Sequence, residues 1–447
     1  MDLFKVEKLN HKPNTVYLPT ALYQKSLSKL CFSNKYVNCV FKPTSQPKCY
    51  VSEEVWKRLG LPYNQKWHFL QQEDTLHFMP IIGIFTTHYH PNAILPFGQR
   101  TEEMKGLLEY ARQAGGCAFV FTPRQIQWEL GTLTGLLYDE GDWREQEVPF
   151  PHVVYDRTPN RRAENKQSVK YVKSQFHHNY GIPWFNPSFF NKWDIHQFLK
   201  AHPLSSQFLP QTYDFTSKHL KEALDYFNTV YVKPKKSSHG LGIKRIIKHG
   251  EGYICETNTP ERCVKHQYAS LKDCLISEFH SHLASQYVIQ QGIDLQKHNK
   301  HPFDFRVHTN KDGEGKWHLS AIAAKVAAVN TITTHTYYGG QILALNDIFD
   351  QETAQKYVKG LKEDVVAISE ALDEQTDDLI GELGFDLGLD QENRLWLFEI
   401  NARPGQVIFH HPKIRHQTKL IHRYWFNYCL YLSKLSLLKP LTLSSVE

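Results

Sequence analysis

Apolar residues recur along this chain at two periods, and the places where one gives way to the other divide it. Up to about residue 78 the runs are short and β-rich, Thr15–Leu18, Tyr36–Phe41 and Lys48–Ser52, with polar or proline punctuation between them. They predict a small β-rich domain over 1–78. From Pro80 the runs become continuous: Ile81–Phe85 and Cys117–Phe121 read as buried strands, and Val153–Tyr155 follows as a third. Thr101, with Glu102 and Glu103 behind it, opens a helix between the first two that Gly115-Gly116 ends. Strand, helix, strand predicts a Rossmann-like domain over 79–160, although no G-x-G-x-x-G turn supports a dinucleotide.

Asp156–Glu164 is rich in charge and turn residues and reads as a polar connector. Beyond it, 161–437 alternates elements of both kinds. A helical pattern covers Asn191–Ala201, and Asp214 or Thr216 caps a second helix reaching about Asn228. Gln286–Asp294, Phe303–His308 and Lys316–Val326 read as strands, the second placing Asp304 and Arg306 on one face. A turn-rich connector with Asn330 and Gly339-Gly340 precedes a helical region from about Glu352 to Leu383, and Tyr424–Leu438 reads as a docked terminal helix.

The most informative stretch is Gly381–Gly405. Two apolar runs, Phe385–Leu389 and Leu395–Ile400, flank the polar loop Asp390-Gln391-Glu392-Asn393, which predicts a β-hairpin. Alternation puts Leu395, Leu397, Glu399 and Asn401 on one face; pairing Leu389 with Arg394 sets Asp386 opposite Leu397, one diagonal step from Glu399. Two carboxylates and an amide then converge, hard ligands of the kind Mg²⁺ accepts. An exposed hairpin with its acids in water is the competing interpretation.

A second stretch, Thr229–Ile243, delivers Lys233 at a strand end and follows it with a small-residue loop carrying Gly240 and Gly242. A strand-end lysine facing uncovered backbone N–H groups suits phosphate oxygens, though the spacing is not that of a Walker A loop and an ordinary hairpin has the same composition. Gln286–Asp294 leads into a glycine and suits an adenine edge, or is a plain core strand.

Composition narrows the function classes. With 447 residues the chain is long enough for several cores, and 41% hydrophobic with 22% charged residues is ordinary for a soluble protein. The formal charge is +6, with basic and acidic residues interspersed, which fits an anionic ligand better than a nucleic-acid surface. Eight scattered cysteines without a C-x-x-C pair predict reduced thiols. Met1–Lys8 lacks the order of a signal peptide and no apolar run approaches a membrane span, so a cytoplasmic location is expected.

Taken in order, Lys192, Lys233-Pro234 with the loop to Gly242, Gln290-Gln291-Gly292-Ile293, Asp304-x-Arg306, Asn330, Asp386, Glu399-x-Asn401 and Arg403-Pro404-Gly405 resemble the ATP-grasp superfamily over most of 165–432. The whole chain is similar to the endospore coat-associated YheC/YheD family, through Pro80–Ile84, Phe121-Thr122-Pro123, Trp143 and Pro149–Arg157 as well. The resemblance implies an α+β ATP-grasp fold, two subdomains clasping the nucleotide, behind the Rossmann-like and β-rich domains. It implies adenine against Gln290, Gln291, Gly292 and Ile293, and phosphates against Lys192, Lys233 and the loop Ser237, Ser238, His239, Gly240 and Gly242. Lys325, where many relatives carry arginine, and Asn330 would also face the nucleotide. Asp386, Glu399 and Asn401 would hold Mg²⁺, with Arg306 and Lys233 as catalytic groups. The activity implied is an ATP- and Mg²⁺-dependent ligase joining a carboxylate to an amine through an acyl phosphate, with spore coat proteins as partners. An ATP-grasp kinase and a non-catalytic ATP-binding coat protein are the alternatives.

Overall fold

The computed structural model describes residues 3–10, 12–91, 93–235, 240–259, 262–279 and 286–438. Four sheets follow one another along the chain. The first has eight strands, all drawn from residues 3–79. Tyr36–Phe41, expected as one strand, is two: Lys35–Asn38 and Val40–Thr44 part at Cys39 and lie at opposite edges of this sheet. The Cys39 and Val40 N–H groups turn instead to Ser28 and Asn14 carbonyls.

The second sheet sets Ile81–Phe85 between Cys117–Phe121 and Val153–Asp156, all three parallel. One of its faces shares a core with the first sheet, Phe119 and Phe121 packing in the same cluster as Trp67 and Phe78. The other is covered by two helices, Thr101–Gln113 and His416–Leu438, whose Met104, Leu107, Trp425 and Phe426 meet Ile82, Ile84 and Val120. The terminal helix thus returns to the parallel sheet. At the end of Val153–Asp156 the expected connector begins, but Asp156, Arg157 and Thr158 are fully buried. Composition suggested a solvated linker; each of the two charges has buried partners of opposite sign.

The third sheet is antiparallel, with Thr229–Pro234 between Lys244–His249 and Tyr287–Gln291. Helices Ser217–Phe227 and Leu271–Glu278 close its outer face through Leu220, Leu224 and Cys274. Thr216 caps the first of these by accepting from His219 N–H, and Asn228 ends it in the left-handed region at φ 59°.

In the fourth sheet His301–Lys311 runs between Trp317–Val326 and Glu382–Leu389, and Leu395–Asn401 pairs with the latter. Its outer face carries the helix Gln351–Asp373. Ala354, Leu361, Val365, Ile368 and Leu372 fall on one helical stripe and pack on Phe303, Phe305, Val307, Phe385 and Leu387. The helical pattern expected to reach Leu383 stops ten residues early, since the strand begins at Glu382. Thr376 Oγ1 accepts from Asp378 N–H at 3.1 Å, a local turn that competes with helix, and the acids Asp377 and Asp378 would oppose the dipole at a helix C-terminus. The inner faces of the third and fourth sheets, left bare by these helices, look onto a common cavity of about 540 Å³.

Candidate functional site

Register within the fourth sheet builds one wall of that cavity. Asp304 lies opposite Lys325, Arg306 opposite Asp386, and Asp386 opposite Glu399. The last pairing corrects the expected register. Leu387 pairs with Leu397 and then Asp386 with Glu399, so Phe398 is an extra residue, a β-bulge. The bulge also changes which side chains share a face. Leu395 and Leu397 join the helix-side core with Ile400, whereas Phe398 and Glu399 both line the cavity. Strict alternation would have left an acid among leucines; one inserted residue turns it into the cleft.

The charges meet closely. Lys325 Nζ is 2.7 Å from Asp386 Oδ1 and 3.2 Å from Asp304 Oδ1, and Arg306 Nη1 is 3.4 Å from Asp386 Oδ2. Thr334 Oγ1 donates to Asp304 at 2.5 Å. With the Asn401 amide oriented by its neighbours, its NH₂ donates to Glu399 Oε1 at 3.1 Å and its oxygen accepts from Arg306 Nη1 at 3.2 Å. Burial pushes the Asp386 carboxyl up, but Arg306 and Lys325 outweigh it and hold Asp386 below the ordinary carboxylate range. Burial raises Asp304, against Lys325, and the neighbouring Asp386 adds to the rise.

The third sheet supplies the opposite wall. Lys233 donates to Gln290 Oε1, and Gln290 Nε2 donates in turn to Thr212 Oγ1 at 3.2 Å. The ammonium lies 5.6 Å from the centre of the Phe398 ring that the bulge brings inward. Burial and then the neighbouring Lys192 bring Lys233 down to about 8, against the opposing pull of Glu399, Asp386 and Asp304. Lys192 opens the helix Lys192–Ala201, capped by Asn191, and its Nζ is 3.2 Å from Glu399 Oε2.

Lys192, Lys233, Gly240, Gln290, Gln291, Ile293, Lys325, Asn330, Asp386 and Glu399 all line the cavity. Arg306 and Asn401 reach it through their contacts with Asp386 and Glu399. Gly292 does not line it: its N–H donates to Thr229 O, and a Cβ there would sit 2.7 Å from that oxygen, so the glycine serves close strand approach. Gly242, at φ 74°, packs beside Pro234. Ser237, Ser238 and His239 lie outside the described residues. Sequence reading missed Tyr231, Ile243, Arg245, Thr334 and Phe398, which also line the cavity. Tyr231 and Arg245 were within reach, since they share with Lys233 the inward phase of their hairpin.

Among the described residues the cations Lys192, Lys233, Arg245, Lys297, Lys300 and Lys325, with Arg306 beside them, thus outnumber the carboxylates Asp294, Asp304, Asp386 and Glu399 around the cavity, a surplus suited to a polyanion. Among the described residues no group of three or more His, Cys, Asp or Glu is placed to hold a metal. Asp386 and Glu399 offer two, and Asn401 adds an amide oxygen; with a polyanion supplying further oxygens, that donor set fits Mg²⁺.

Residues 181–432 match the family described as YheC/D like ATP-grasp. The endospore coat-associated protein YheD of Bacillus subtilis (strain 168) is 37% identical over 432 residues, 96% of this chain and 95% of that protein. YheC of the same strain is 23% identical over 324 residues, 69% of this chain and 86% of that one. Among solved structures, D-alanyl-alanine synthetase A from Vibrio cholerae O1 biovar eltor str. N16961 is similar with TM-score 0.46 and 13% identity, covering 79% of this chain and 98% of that one. D-cycloserine synthetase DcsG gives TM-score 0.45 and 13% identity, covering 77% and 99%. The chain has the ATP-grasp fold and belongs to the YheC/D-like ATP-grasp family.

Proposed function

We propose that this protein is an ATP- and Mg²⁺-dependent ligase that joins a carboxylate to an amine through an acyl phosphate. The observation that carries the reading is the direct opposition of Asp386 and Glu399 in a cavity whose cations outnumber its acids. Lys192 and Lys233 hold the phosphates from the side of the third sheet, and Gln290, Gln291 and Ile293 border the base. Asp386, Glu399 and Asn401 hold the metal, which when bound neutralises charge on the β- and γ-phosphate oxygens. Arg306, beside Asp386, stabilises the transferring γ-phosphoryl group as the substrate carboxylate oxygen attacks it and ADP leaves. The amine then attacks the activated carbonyl and phosphate departs. Orientation and electrostatics suffice for both steps, so no serine or cysteine nucleophile is called for.

In this reading 161–437 is the nucleotide-binding domain, 79–160 a pre-ATP-grasp domain, and 1–78 a module that docks partners or presents substrate. The names of the two Bacillus relatives place them with the endospore coat, and a cytoplasmic enzyme acting on or beside coat proteins fits that context. One observation favours a non-catalytic ATP-binding coat protein: Lys325 and Arg306 both pair with Asp386 directly.

Calorimetry and product analysis separate the two. ATP should bind more tightly with Mg²⁺ than without, and incubation with ATP, Mg²⁺ and sporulating-cell extract should yield ADP, phosphate and a condensed product by mass spectrometry. Nucleotide affinity indifferent to Mg²⁺ would reject the metal site. Binding without any ATP-dependent product would favour the scaffold.

A further inference from the structure

The hairpin that carries Asp386, Glu399 and Asn401 is gripped at its open end by the parallel sheet. We propose that Asp156 and Arg157, consecutive residues at the end of the strand Val153–Asp156, are positioning residues for the reaction, acting through Arg403 and Glu382 on the two strands of the hairpin. The inference rests on the nucleotide chemistry proposed above.

Asp156 ends its strand and Arg157 follows it, and the two side chains take separate sets of partners. Arg157 Nη1 is 2.8 Å from Glu382 Oε1, its Nη2 donates to Pro404 O at 3.2 Å, and it also pairs with Glu103. Tyr155 OH donates to the same Glu382. Asp156 Oδ2 lies 3.1 Å from Arg403 Nη2 and 2.7 Å from Lys173 Nζ, and it accepts from Trp184 Nε1 at 3.0 Å. Glu382 and Asp386 share a strand face, four residues apart, and Arg403 follows Asn401 by two. Asn186 bolts the strands at the same level: its amide donates to the Glu382 and Ala402 carbonyls and accepts from Gly381 N–H at 2.9 Å. Gly384 completes the fit, since a Cβ there would sit 2.5 Å from Pro404 Cβ.

The side chains of Asp156, Arg157 and Arg403 are all 0% exposed. Apolar residues of similar volume hold such a junction as well as buried ion pairs do or better, so stability alone does not account for two of them. What directional pairs add is a fixed placement. Here they pin both strands of the hairpin to a rigid sheet, a few residues from a carboxylate pair whose separation decides whether one cation can be shared.

The test splits nucleotide affinity into two parts by calorimetry: binding of ADP without metal, made by the third sheet, and the gain in ATP affinity on adding Mg²⁺, made by the hairpin. Glu382→Gln and Asp156→Asn keep side-chain shape, and Arg157→Lys keeps charge while losing the fork; each is measured well below its own melting temperature. Metal-free ADP affinity should hold, while the Mg²⁺-dependent gain falls about tenfold or more in the first two and by less in Arg157→Lys. A lowered melting temperature with the full Mg²⁺ gain retained would show a purely structural clamp and overturn the inference, as would equal loss of both parts. A wild-type protein with no Mg²⁺ gain would instead overturn the metal site itself, and this inference with it.

Discussion

Two ionic assemblies lie along one face of the fourth sheet, and they are built differently. In the cleft, Asp386 and Glu399 keep 15% and 27% of their side chains exposed, and their partners Arg306 and Lys192 are similarly placed, with Lys325 more deeply covered. At the junction, Arg157, Asp156 and Arg403 expose nothing and are held by several partners each. The first set borders solvent and can exchange a partner for a phosphate or a metal. The second is closed, and exchanging a partner there means leaving a charge dry. Like chemistry thus serves ligand exchange in one place and fixed geometry in the other, and burial decides which.

Single truncations should expose that contrast most strongly. Arg403→Ala takes from the buried Asp156 one of its cationic partners and should cost about 3–5 kcal/mol of stability in denaturant unfolding. Arg306→Ala, whose partner Asp386 retains Lys325 and access to solvent, should cost far less. Equal losses would erase the distinction between the assemblies.

Next in size are effects on ligand. Glu399→Gln should lower the Mg²⁺-dependent part of ATP affinity about 10–100-fold while the melting temperature barely moves, since Glu399 is partly hydrated and, among the described residues, ion-paired to Lys192 alone. Lys233→Ala should cost about 1.5–3 kcal/mol of ATP binding and much less of adenosine binding, as expected when a charged hydrogen-bond donor to phosphate is removed. Comparable losses for both ligands would make Lys233 a structural lysine of the Gln290–Thr212 network.

The sequence revealed the cleft far better than the junction, for physical reasons. Asp304, Arg306, Lys325 and Asp386 sit on antiparallel strands, where a period of two already fixes who shares a face. The ATP-grasp fold was legible through a resemblance, carried by the ordered set from Lys233-Pro234 through Asp304-x-Arg306 to Glu399-x-Asn401, while apolar stripes and a cap such as Thr216 marked only single elements. The bulge at Phe398 was not, because an inserted residue leaves the local pattern unchanged and only tertiary packing chooses between core and cleft. Asp156 and Arg157 read as a solvated linker because their composition is that of one. Their partners Glu103, Glu382 and Arg403 lie far away in the chain, and no local rule joins them.

The smallest effect is also the most discriminating about Lys233. Burial and Lys192 bring its ammonium down to about 8, so in the folded, unliganded protein it loses its proton at a pH where an unfolded lysine, near 10.4, still keeps it. The unfolded state then binds more protons between those two values, and stability should rise with pH across that window. Nucleotide binding runs the other way. A triphosphate favours the charged lysine, so ATP affinity should be flat below about pH 8 and fall above it, with proton uptake on binding that shows as a buffer-dependent enthalpy. Lys233→Arg, charged throughout, should bind ATP with no fall over the same range. If wild type and Lys233→Arg follow the same pH profile, the lysine is not the titrating contact, and the fall belongs to another group facing the cleft.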